Sequence, residues 1–223
     1  MNNNQFLSLS NEIMKTRNPL HYELFNFDNN IEYKVFLMVL SISTMLYRNN
    51  KMTKQSFSLN GFLSRDSYLP RSKLNFKTLE KIINNFNGKS PFFKYVLSEN
   101  KSVIVELSKE YIKNINKNGF NKVKLEDLKS CKDIKATKLK VIVSMKPKGF
   151  LNLNYLLKVL SVNDNLNRTD KIRQIRRAFN GIKLNFEYKH PKNQNDEIKP
   201  EHYKFYYDTL ENKSNDILDD IKF

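Results

Sequence analysis

Glycine is scarce and scattered in this chain, with five among 223 residues, at positions 61, 88, 119, 149 and 181. No cluster of them supplies a phosphate-cradling loop followed by Lys-Ser/Thr, or a dinucleotide fingerprint, which excludes an internal ATPase. Histidine is scarcer still: His21, His190 and His202 lack both the His-x-His and the His-x-x-x-His spacing. With Cys131 as the only cysteine, no zinc set can be assembled. That lone thiol cannot close an internal disulfide and fits a reducing, cytoplasmic setting. The longest apolar stretch, Val35 to Leu46, is interrupted by Ser41, Ser43 and Thr44 and falls short of the ~18 residues of a membrane helix. The first residues, Met1 to Gln5, show no basic segment leading into an apolar one, so neither secretion nor a membrane is signalled. Tyr206-Tyr207 resembles a nicking-joining tyrosine only superficially, because that chemistry needs a metal held by clustered histidines; the pair reads as strand. The sequence therefore predicts a protein without cofactor, metal site or catalytic set, that is, not an enzyme.

Acidic residues are also in deficit. Lys and Arg total 39 against 23 Asp and Glu, a formal charge of +16. Such a field attracts polyanions, nucleic acid first. Hydrophobic residues at 39% and charged ones at 28% support folded cores, and the length suits two domains of about 100 to 120 residues.

Periodicity supplies the elements. Ile31 to Arg48 carries Val35, Phe36, Val39, Leu40, Ile42 and Leu46 at spacings of three and four, a core helix. A short run at Ser56 to Leu59 precedes a break at Tyr68-Leu69-Pro70. Ser72 to Phe86 is predicted as a helix with Phe76, Leu79, Ile82, Ile83 and Phe86 inward. Phe92 to Leu97 and Ser102 to Leu107 read as a β-hairpin, and Lys109 to Asn118 as a short helix ended by Gly119. Helix, strand, helix and hairpin in this order is the layout of a winged helix. The order then returns: helix Ser130 to Met145, strand Phe150 to Leu153, helix Asn154 to Val162, helix Arg168 to Ile182, and strands Lys183 to Lys189 and His202 to Tyr207 around a loop from Pro191 to Pro200. The predicted class is α+β with two tandem winged-helix domains: residues 1–120 with an N-terminal extension, residues 121–208, and an acidic tail at 209–223. The tail, with Asp216, Asp219 and Asp220, would be repelled by DNA, and either stays solvated or packs through Ile217, Leu218 and Ile221.

The helix beginning near Thr169 carries the strongest functional signal. Ile172, Ile175, Phe179 and Ile182 form an apolar stripe, with Arg173, Arg177 and Asn180 opposite and Arg176 on the flank. Arginine presents a bidentate fork to guanine or phosphate, and asparagine can pair with adenine. An ordinary solvated face mixes both signs, whereas here the only acid is Asp170, in the first turn where the helix dipole favours it. The predicted DNA contacts are Arg168, Lys171, Arg173, Arg176, Arg177 and Asn180 from this helix. Lys73, Lys77 and Lys81 from the first domain, and Lys189 and Lys192 from the second wing, would add phosphate contacts.

In the order of its elements the chain resembles the iteron-binding plasmid replication initiators, proteins built from two winged-helix domains. Ile31 to Tyr47 is similar to their first long helix, and Val103-Ile104-Val105-Glu106-Leu107-Ser108 followed by Tyr111-Ile112 to the end of their first domain. Ala136 to Ile142, Gly149 to Leu157 and Phe186-Glu187-Tyr188 match later steps. The resemblance spans Ile31 to Tyr207 and departs at Val141-Ile142, where an aromatic residue is commoner, and in the loop at Pro191. It implies a non-enzymatic initiator that binds duplex DNA at directly repeated origin sequences and recruits the host initiator and helicase, and whose homodimer represses its own gene. A plasmid- or phage-borne transcriptional regulator with the same binding mode fits the residues equally, and a third class is an interaction protein whose charge serves RNA or acidic partners.

Overall fold

The computed structural model describes residues 6–115, 117–190 and 202–210. The fold mixes helices with small antiparallel sheets, in two units, Met1–Ser130 and Cys131–Phe223.

The first unit is organised by its most apolar segment. After β1 (Phe6–Ser10) and α1 (Pro19–Glu23), α2 runs from Asn30 to Asn50. It begins where the Asn29 side chain accepts from the amides of Ile31 and Glu32, and stops where Lys51 turns left-handed at φ 60. Nine consecutive residues, Tyr33 to Ser41, are buried, as an all-round apolar helix requires. Around it come β2 (Lys54–Ser58), α3 (Phe76–Asn84), β3 (Phe93–Glu99), β4 (Ser102–Leu107), α4 (Lys109–Ile115) and β5 (Phe120–Lys124). Strands β3 and β4 form the predicted hairpin. Its two-residue turn is Asn100-Lys101, at φ 51 and 60, the left-handed pair whose twist suits a tight hairpin. β2 adds to the far edge of β4, giving the order β2-β4-β3. Phe36 sits at the centre of the core, with Phe27, Phe86, Phe92 and Phe93 rings at 4.7 to 5.9 Å.

The second unit repeats the order helix, strand, helix, hairpin, with a further short helix after its first strand. α5 (Ile134–Met145), β6 (Lys148–Asn152), α6 (Leu153–Val159), α7 (Arg168–Gly181), β7 (Phe186–Lys189) and β8 (Lys204–Asp208) follow in sequence. The sheet order β6-β8-β7 is again first strand, last strand, middle strand.

Four expectations need correction. The helix predicted from Ser72 starts at Phe76, because the Asn75 side chain accepts from the Thr78 amide at 2.8 Å and caps it there; Arg71–Lys73 is a separate 3-10 turn. The division predicted at residue 120 falls at Ser130, since β5 returns to pair with β1 in the register Phe6↔Lys124 to Ser10↔Phe120. The α5 helix begins at Ile134 rather than Ser130, capped by Asp133, whose side chain accepts from the Ala136 amide. It also buries more than the predicted stripe, with Ala136, Thr137, Lys138 and Val141 inside as well. The strand predicted from Lys183 begins at Phe186, because Lys183 takes φ 51 and its amide closes the end of α7 on the Asn180 carbonyl. The tip of the second hairpin and residues 211–223 of the acidic tail lie outside the described residues.

Candidate nucleic-acid interface

α7 is fixed at its start and along one side. The Asn167 side chain accepts from the Asp170 amide at 2.9 Å, satisfying one donor that the first helical turn leaves free. Ile175, Ala178 and Phe179 are buried. The Phe179 ring enters an aromatic cluster with Phe186 at 4.5 Å, Phe205 at 5.7 Å and Tyr207 at 6.4 Å, which clamps the helix to the inner face of β7 and β8. The Tyr207 hydroxyl donates to the Lys146 carbonyl at 2.8 Å, and burial pushes its pKa up to about 12.

With that side locked, the opposite side is set. Arg173, Arg176, Arg177 and Asn180 are all exposed, within an arc of roughly 100° at about 100° per residue and along about 10 Å of helix. Thr169 is exposed on the same arc, a position that charge-based reading passed over. Asp170 bonds Arg173 at 3.0 Å, with side chains 34% and 61% exposed. A pair this open is worth little in water, so Arg173 can exchange it for a ligand at small cost.

Two predicted contacts on α7 do not join this face. Arg168 donates to the Tyr188 hydroxyl at 3.2 Å and lies 6.0 Å from the Tyr203 ring centroid. Seven residues is close to two full turns, so Arg168 shares the buried meridian of Ile175 and reaches along the ends of β7 and β8. Lys171 is half-buried, off the exposed arc and one turn before buried Ile175. Lys189 is exposed but belongs to β7, where it pairs with Glu187 and sits 5.3 Å over the Tyr206 ring. Lys192 lies outside the described residues.

The first unit offers a weaker version of the same arrangement. Lys77 and Lys81 are exposed on α3, opposite buried Leu79, Ile82 and Ile83, and Lys73 is exposed in the preceding turn. Polar neighbours on α3 are already engaged. Glu80 accepts from the Lys101 amide at 2.8 Å, and Asn84 exchanges two hydrogen bonds with the Ser98 backbone, at 3.0 and 2.6 Å. What remains is ammonium charge, suited to phosphate rather than to base edges.

The structure also brings together two histidines that sequence spacing kept apart: His190 Nε2 and His202 Nδ1 are 3.3 Å from one another at the base of the second hairpin. Among the described residues no group of three His, Cys, Asp or Glu side chains is placed to hold a metal ion, and no helix is long and apolar enough to cross a membrane.

No protein-family model matches the sequence, and no curated protein is detectably similar to it. The fold is similar to that of the Pi initiator protein, solved in complex with iteron DNA, with a TM-score of 0.60 and 12% sequence identity over 93% of this chain and 98% of that one. At that identity the likeness is one of fold.

Proposed function

From that shared fold and the arginine face of α7, we propose that the chain is a non-enzymatic, sequence-specific duplex-DNA-binding protein of the replication-initiator kind, with each unit a winged helix. The observation that carries the reading is the arc of Arg173, Arg176, Arg177 and Asn180, solvent-facing on a helix whose other side is clamped by Phe179. A helix held in this way can enter a major groove of ≈ 12 Å width and present its guanidinium forks to guanine O6 and N7, and the Asn180 amide to adenine. Lys73, Lys77 and Lys81 supply phosphate contacts that set affinity and register without reading sequence. Arg168 acts indirectly, tying the start of α7 to Tyr188 and Tyr203. A net charge of +16 steers the duplex toward the protein at low salt.

Under this reading the partners are directly repeated origin sites, with a host initiator and helicase recruited to them and a homodimer acting on the protein's own gene. A transcriptional regulator would use the same groove contacts, so the arrangement of sites separates the two. Footprinting on DNA flanking the gene should protect an array of equally spaced direct repeats. Protection of a single inverted repeat would replace the initiator by a regulator, and no defined protection at any concentration would overturn sequence-specific binding.

A further inference from the structure

The outer face of the β6-β8-β7 sheet is the opposite side of the second unit from the arginine arc. Inward residues Leu151, Phe205 and Tyr207 are buried, the latter two against Phe179 of α7, so their strand neighbours point away from that helix. Those neighbours include two aromatic rings in register on adjacent strands, Phe150 and Tyr206. Phe150 is 41% exposed. The ring centroids are 5.8 Å apart and tilted by 51°, so neither ring covers the other. Three ammonium groups lie over them: Lys204 at 4.3 Å and Lys146 at 5.3 Å from Phe150, and Lys189 at 5.3 Å from Tyr206. The carboxylates nearby are engaged, Asp208 with Lys148 at 2.6 Å and Glu187 with Lys189. Gly149, at φ +148, leaves room for the Lys146 stem to reach the face; a Cβ there would come within 2.6 Å of Lys146 Cε. Phe150, Tyr206, Lys148, Lys189, Glu187 and Asp208 line a groove of about 620 Å³, and Lys146 and Lys204 lie over the Phe150 ring beside that lining. The corresponding face in the first unit carries Ile104 and Leu97 side by side on β4 and β3, without this pairing of rings and cations.

We propose that this face is a second nucleic-acid site, which takes unpaired DNA bases stacked on Phe150 and Tyr206, with Lys146, Lys189 and Lys204 on the flanking phosphates. The chemistry follows from what the face offers. Every base has a π-face, and a groove of exposed rings edged with cations binds a single strand with little regard to sequence. The lysines cap the rings, and each sits on a flexible stem that can swing from ring to phosphate as a base enters. Rings 5.8 Å apart exceed the ~3.4 Å rise of a duplex strand, so two bases would sit splayed on separate rings, which a duplex does not permit. A duplex seated on α7 lies on the other side of the unit. The choice of DNA over RNA rests on the proposed function and on Asp208 being held by Lys148, which withdraws one acceptor for a 2′-hydroxyl.

The test uses the full chain and fluorescence anisotropy with three probes: oligothymidylate of about twelve nucleotides, the same length of abasic DNA, and the footprinted duplex. Phe150→Ala/Tyr206→Ala removes two stacked bases and should weaken oligothymidylate binding by roughly thirtyfold or more and leave duplex affinity unchanged. Phe150→Leu/Tyr206→Leu, which keeps a sizeable apolar side chain without a π-face, should do the same. Abasic DNA should bind wild type as weakly as oligothymidylate binds the variants. Equal oligothymidylate affinity in wild type and the Leu variant overturns the site, as does equal binding of abasic and intact strands. Tighter binding of oligouridylate replaces DNA by RNA, and stronger competition from polyglutamate replaces nucleic acid by an acidic protein. Failure of the duplex arm alone rejects the α7 reading and leaves this one standing.

Discussion

Phe179→Ala perturbs the element on which the arginine face depends. The ring is fully buried and holds α7 to Phe186, Phe205 and Tyr207 at 4.5, 5.7 and 6.4 Å. Truncating a buried phenylalanine to alanine costs about 3–5 kcal/mol, from lost transfer energy and the cavity left behind. A site bordered by two strands and a helix can collapse only partly, and three aromatic contacts disappear together, so the upper half of that range applies. Against a total stability of about 5–15 kcal/mol for a domain, a loss of about 4 kcal/mol leaves the second unit marginal. At a urea slope near 2 kcal/mol/M, the midpoint should fall by about 2 M. Urea denaturation followed by circular dichroism measures it directly. Phe179→Leu, which keeps part of the volume, should lose roughly half as much. A Phe179→Ala midpoint within experimental error of wild type would show that this ring does not anchor α7, and the orientation assigned to the arginines would lose its physical basis.

Three further outcomes are expected. Asn167→Ala removes the side-chain acceptor from the α7 N-terminus and should cost about 0.5–2 kcal/mol in thermal unfolding, while Asn167→Gly costs only tenths. Lys77→Ala with Lys81→Ala should lower the slope of log K against log salt by about 0.9 for each lost phosphate contact, with an unchanged footprint. Tyr207, with its pKa pushed up to about 12, contributes stability that is full below the ordinary tyrosine pKa of about 10 and is lost as pH rises through 12. Tyrosinate absorbance should therefore show a late step that Tyr207→Phe diminishes.

The helices were the legible part of this sequence, for a physical reason. Positions three and four apart report one face of a single segment, so α2 and, on α7, buried Ile175 and Phe179 could be read from local spacing, while Ala178 is buried as well and Ile172 and Ile182 are half-buried. Pairing between distant segments could not. Phe6 to Ser10 alternates visibly, with Leu7 and Leu9 buried, yet nothing local says that its partner is Phe120–Lys124; that pairing moves the unit boundary. The 3.6-residue period also explains the split among the arginines. Arg173, Arg176 and Arg177 fall together, while Arg168, seven residues before Ile175, drifts back to the buried meridian. The apolar stripe itself sets only Arg173, Arg176 and Arg177 on the open side; Arg168 entered the predicted contacts through its charge and not through its place on the helix. The sheet's outer face was invisible for a different reason: Phe150 and Tyr206 are 56 positions apart in the chain and meet only through the register of β6 and β8.

The claim that carries the account is that the α7 guanidinium groups read a duplex. Quantitative binding of Arg173→Ala/Arg177→Ala to the protected site, across a range of salt and beside a circular-dichroism check of folding, tests it most directly. The account predicts an affinity loss of about 1–3 kcal/mol per lost base contact, with relaxed discrimination at the base pairs those side chains touch. A folded double variant with wild-type affinity and an unaltered footprint would contradict it.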